Sequence, residues 1–227
     1  LVNILLTLVT SLGSVMLPRV AHLSATGDHK AVNKMHEMSF LIYNLVIFPM
    51  MAGILIVNDD FVQFFLGQDF QDARYAIAIM IFRMFFIGWT NIMGIQMLIP
   101  HNQNKEFMIS TTAPAIISVG LNLLFLPKLG YIGAAIVSVL TEALVWAIQL
   151  YFTRRYLKEV PIIGSMTKII LASAIMYSIL LGSKTVIHFS PTLNVLVFAV
   201  LGGIIYLFAI LSLKVVDVKE LKQIIKK

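Results

Sequence analysis

The chain of 227 residues is 59% hydrophobic and only 12% charged, with a mean hydropathy of +0.91, which excludes an ordinary soluble domain and a disordered chain. It has no cysteine, which excludes a disulfide framework and a thiolate metal site. In an integral membrane protein the net charge of +6 is topological information, and no nucleic-acid partner is expected.

Seven hydrophobic spans are predicted in chain order. They run from Leu1 to Leu17, closed by Pro18 and Arg19, then Phe40 to Val57, Tyr75 to Ile99, Phe107 to Leu126, Tyr131 to Phe152, Ile169 to Ile187 and Leu193 to Leu213. Each is about 17 to 25 residues, enough to cross a hydrocarbon core of about 30 Å. The fold class expected is therefore all-α, a polytopic membrane helical bundle. The chain opens inside an apolar run without an initiating Met or a charged leader, so an upstream part is expected to be missing. Spans four and five are joined only by Pro127, Lys128, Leu129 and Gly130, which makes them antiparallel neighbours. Their junction carries Gly130, Gly133, Ala134 and Ala135, small residues that permit close helix approach in lipid.

Orientation follows from the basic residues. Alternate connections hold Arg19, Lys30, Lys34, Lys105, Arg154, Arg155, Lys158, Lys168 and the tail lysines 214, 219, 222, 226 and 227 on one side, against Arg74, Lys128 and Lys184 on the other. The richer side, with the C-terminus, is expected to be cytoplasmic. The stretch between spans two and three, with four aspartates, is expected outside. The longest cytoplasmic loops are expected between spans one and two and between five and six, as amphipathic surface segments. Residues 1–168 are expected to form a five-span bundle, 169–213 two peripheral helices and 214–227 a basic tail.

Polar residues inside the spans fall into stripes at helical spacing. Asn3, Thr7, Thr10 and Ser14 share a face of span one, Arg83, Thr90, Asn91 and Gly94 a face of span three, and Thr111, Pro114, Ser118 and Asn122 a face of span four. Ser138, Glu142 and Gln149 do so on span five. Such residues can simply bond between helices, but four stripes on four helices point to a shared polar interior. Arg83 and Glu142 lie about 12 and about 16 Å in from the external ends at 1.5 Å per residue, so they are placed to pair. An unpaired charge at that depth costs at least about 2.5 to 3.5 kcal/mol, although Arg83 could also reach the outer interface along its stem. Glu142 is the one candidate for cation coupling. The five histidines are expected in loops or at span ends, without metal-ligand spacing. No phosphate-cradling loop, nucleophile elbow or water-facing pair of catalytic carboxylates occurs, so neither catalytic nor metal residues are expected.

The order LPRVAHLSATGDHKAVNKM, FLGQDFQDAR and NLLFLPKLGYIGAAIVSVLTEALVWAIQLYFTRRYL resembles the C-terminal half of a Wzx-type polysaccharide flippase, in the multidrug/oligosaccharidyl-lipid/polysaccharide exporter superfamily. The resemblance implies a two-bundle, MATE-like transporter of the bacterial cytoplasmic membrane working by alternating access, with this chain as its second part. Its substrate would be an undecaprenyl-diphosphate-linked oligosaccharide for capsule or O-antigen assembly. Its partners would be membrane lipids, the missing first half and the glycosyltransferases and polymerase of the pathway. No cofactor is implied beyond a possible cation gradient. In that setting Arg83 is expected to contact the diphosphate or glycan, with Glu142, Asn91, Asn122, Asn3, Thr7, Ser14 and Ser118 lining the path. Spans six and seven are expected to offer the lipid tail a groove. The rival readings are a cation-coupled multidrug exporter of the same fold and, last, a membrane glycan polymerase, ligase or pathway scaffold.

Overall fold

The computed structural model describes residues 17–24, 26–186 and 189–215. The first span, with Asn3, Thr7 and Ser14, therefore lies outside the described residues, as do most of the basic tail and His188. All described regular structure is helical: α1 (17–24), α2 (His29–Phe65), a 3₁₀ turn (Gln68–Phe70), α3 (Ala73–Met80), α4 (Arg83–Thr90), a π-helical segment (Asn91–Leu98), α5 (Asn104–Leu157), α6 (Ile162–Lys184) and α7 (Pro191–Ser212). Among the described residues, five helical stretches are long and apolar enough to cross a membrane, with α3, α4 and the π segment forming one of them. This is an all-α polytopic membrane bundle.

The helices outrun the hydrophobic spans. α2 has 37 residues, about 55 Å at 1.5 Å per residue, and begins well before Phe40. α5 runs to Leu157 and α6 starts at Ile162, so the long cytoplasmic loops expected from hydropathy are mostly helix. Hydropathy marks where lipid begins; the backbone continues its hydrogen bonding past that point.

α5 folds back on itself. Gly130 has φ 54° and ψ −135°, a conformation that costs residues with a Cβ, and it separates the limbs α5a (104–129) and α5b (131–157). The side chains of Ser110 and Gln149 meet at 3.2 Å, and those of Gln103 and Tyr156 at 3.4 Å. Both pairs are equidistant from the Leu129–Gly130 bond, which defines one antiparallel register along the hairpin. The expected pairing of spans four and five is thus observed.

The chain divides into two compact units, one of residues 1–47 and 72–162 and one of 48–71 and 163–227. α2 contributes to both, and Pro49 lies next to the division. In the second unit the end of α2, the end of α6 and the start of α7 are tied together. Lys184 Nζ donates to the Ile56 carbonyl (2.7 Å) and pairs with Asp60 (3.1 Å), while Asn194 Nδ2 donates to the other Asp60 oxygen at 2.8 Å. At mid-height α7 meets α6 where Gly202 admits Leu180 and Met176. The outward faces carry exposed Ile163, Val200, Leu207 and Phe208, as expected of surfaces solvated by lipid tails.

Candidate functional site

The first unit is built around a parallel pair, α3–α4 beside α5b. Tyr131 Oη donates to the Asp72 carbonyl and Arg83 Nη2 donates to Glu142 Oε1, each bridging a separation of 59 residues. By Gln103 and Tyr156 the separation is 53. The π-helical segment lies between, and it packs more residues into each unit of length than an α-helix does.

Arg83 and Glu142 form an ion pair at 2.9 Å, with side chains 20% and 21% exposed. The pair uses one guanidinium nitrogen and one carboxylate oxygen, and Arg83 Nε is buried without a partner. Next to it stand aromatic rings. Trp146, one turn beyond Glu142 on α5b, has its centroid 5.8 Å from that of Phe86, 6.1 Å from Phe85 and 6.4 Å from Trp89. Trp89 in turn lies 4.8 Å from Phe40. Trp146, Phe85 and Phe86 are all half-buried.

A second polar set was not foreseen from the sequence. α2 presents His36, Ser39, Tyr43, Asn44 and Ile47, at intervals that recur on one helical face, to α4 and the π segment. His36 Nε2 meets the Gln96 carbonyl at 3.1 Å; Ser39 Oγ donates to Gln96 Oε1 at 2.7 Å. Tyr43 Oη donates to Asn91 Oδ1 at 2.8 Å, Trp89 Nε1 donates to Asn44 Oδ1 at 3.0 Å, and Ile47 fills the space beside Gly88. His36 thus sits inside a helix at 1% exposure, which corrects its placement in a loop. A carbonyl only accepts, so Nε2 carries the hydrogen. Pro100, four residues beyond Gln96, has no N–H to offer that carbonyl, and His36 Nε2 donates to it. His36→Leu is expected to destabilise the full-length protein by about 2 kcal/mol, by stranding that carbonyl in a dry interior. His36→Gln, which restores an N–H at similar reach, should recover much of the loss in thermal unfolding in detergent. Equal losses in both variants would count against this role.

The remaining sequence candidates are dispersed. Asn91 is held by Tyr43. On α5a, Ser118 Oγ donates to the Ala115 carbonyl at 2.8 Å and Asn122 Nδ2 to the Ser118 carbonyl at 2.9 Å, both within their own helix. Their periodic stripe needs no polar neighbour to satisfy it. Gln149 is buried with Ser110, against Gly94. Among the described residues no cluster of three metal-binding side chains occurs.

Comparison with known proteins gives this geometry its context. Over 230 residues the chain is 26% identical to the uncharacterized membrane protein MJ1068 of Methanocaldococcus jannaschii, covering 100% of this chain and 44% of that protein. Over 199 residues it is 21% identical to the probable low-salt glycan biosynthesis flippase Agl15 of Haloferax volcanii, covering 86% of this chain and 41% of that protein. The chain therefore spans less than half the length of these relatives. Residues 4–223 also match a family of flippases, transporters rather than enzymes. The resemblance read from the sequence holds at the level of lipid-linked flippases and does not single out the Wzx-type branch or a MATE-like kind. With nearly its whole length matched, the chain belongs to the lipid II flippase MurJ family.

Proposed function

We propose that this chain forms part of a flippase that carries a lipid-linked glycan across the cell membrane by alternating access, with the Arg83–Glu142 pair in contact with the headgroup. The observation that carries the reading is the ion pair itself, one-fifth exposed within apolar helices of a chain from a flippase family. A polar headgroup moving through a bilayer needs charged and hydrogen-bonding groups shielded from lipid, while its polyprenyl tail stays in the hydrocarbon. An undecaprenyl diphosphate carrying an oligosaccharide is the substrate that fits the Wzx-like sequence features, with the second half of a two-bundle transporter supplied here. The distribution of basic residues supports a cytoplasmic C-terminus.

The same-fold alternative, a cation-coupled drug exporter, needs a carboxylate open to a cation. Glu142 is instead engaged by Arg83, so a coupling ion at Glu142 would first have to displace the guanidinium. In the full-length protein, Arg83→Ala should cut delivery of lipid-linked glycan to the outer leaflet by at least about tenfold, equivalent to about 1.4 kcal/mol of lost interaction. A surface-glycan or vesicle flipping assay reads this directly. Delivery at the wild-type rate would overturn the role of Arg83.

A further inference from the structure

The geometry points to a subsite at Arg83, Glu142, Trp146 and Phe86 that takes a sugar ring of the headgroup, and not its diphosphate. The inference rests on the flippase reading above and narrows what this part of the protein touches.

Charge favours a sugar over a diphosphate at this pair. Glu142 Oε1 lies 2.9 Å from the Arg83 guanidinium, so the two charges cancel locally. A diphosphate brought to Arg83 would also face the carboxylate, and like charges within a few ångströms repel in a medium of low dielectric constant. A neutral sugar meets no such opposition. Its hydroxyls both donate and accept, and the pair offers both functions: carboxylate oxygens that accept, and guanidinium N–H groups that donate. Only one oxygen and one nitrogen are used within the pair, which leaves the second carboxylate oxygen as an acceptor and the other terminal guanidinium nitrogen as a donor.

The shape of the surroundings favours a sugar as well. A pyranose has an apolar face of C–H bonds, which packs on aromatic rings, and polar edges, which need planar hydrogen-bonding groups beside those rings. Trp146 follows Glu142 by one helical turn, and Phe86 follows Arg83 by nearly one, so rings and charges stand side by side on both helices. The rings around Trp146 meet it tilted or edge-on, at 53°, 59° and 66°, and none of these three is stacked parallel on its face.

The test measures binding of two probes to the full-length protein in nanodiscs: bare undecaprenyl diphosphate, and the same lipid carrying one N-acetylglucosamine. The wild type should prefer the sugar-bearing lipid. Trp146→Ala should weaken that lipid about tenfold, with bare diphosphate changed less than about twofold, as expected for losing one stacked aromatic contact. Trp146→Phe, which keeps a ring, should restore most of the affinity and guards against loss of fold. Equal weakening of both lipids would overturn the assignment in favour of diphosphate binding or general damage; no change with either would overturn it in favour of simple packing. A wild type that binds both lipids without preference overturns the subsite alone, whereas one that binds neither overturns the flippase reading with it.

Discussion

Glu142→Leu is expected to cost the full-length protein about 3 kcal/mol, and Arg83→Met combined with Glu142→Leu to recover most of that loss. Removing one partner leaves a guanidinium among apolar helices with its counter-charge gone; replacing both leaves two side chains that pack. The pair is only about one-fifth exposed, so water screens little of the effect. Arg83 has one escape, which is to extend along its stem toward the membrane surface. A single-variant cost below about 1 kcal/mol would mean that it takes this route and that the pair contributes little to stability. Thermal unfolding in detergent of the wild type, both single variants and the double variant gives the coupling energy as a cycle, and simple additivity would show the two residues to be independent. The double variant also separates folding from transport: it should be nearly as stable as the wild type and still fail to deliver glycan.

How much of this was legible beforehand depends on how local each signal is. The hairpin was readable because four residues between two apolar spans leave no other geometry, and Gly130 takes the positive-φ conformation that this turn uses. The Arg83–Glu142 pair was readable for a similar reason: depth along a helix can be counted from sequence, and two opposite charges at similar depth seek each other. The α2 zipper was not readable. His36 and Ser39 precede the hydropathy window, and their partner Gln96, like Tyr43's partner Asn91, is identified only once the register between α2 and the π segment is known. Pro100 was the available clue, since a proline has no N–H to give a carbonyl of the preceding turn. At Ser118 and Asn122 periodicity places two polar side chains on one face, and in the structure each bonds to the backbone of its own helix, a bond that periodicity does not reveal. Lys184 and Asp60, separated along the chain by most of the protein, meet only through the packing of α6 against the end of α2.

Among the described glycines, Gly133→Ala is expected to be the most costly substitution by alanine, at about 3 kcal/mol. A Cβ at Gly133 would sit 2.6 Å from the Phe125 carbonyl oxygen and 2.9 Å from its carbon. Those atoms belong to the backbone of α5a, so relief requires the two limbs of the hairpin to move apart. Such movement would strain the register fixed further along by Ser110 with Gln149 and by Gln103 with Tyr156. Gly88→Ala provides the contrast. There the new Cβ meets the Cδ1 end of Ile47, in closer contact still, but that end can turn to another rotamer and the backbone need not shift. Its expected cost is about 1 kcal/mol. Unfolding of the two variants side by side therefore tests the structure at the hairpin: distance alone ranks Gly88 as the worse site, whereas the mobility of the obstructing atom ranks Gly133 worse. If Gly88→Ala proved the more costly, the close approach of the α5 limbs at Phe125 and Gly133 would have to be abandoned.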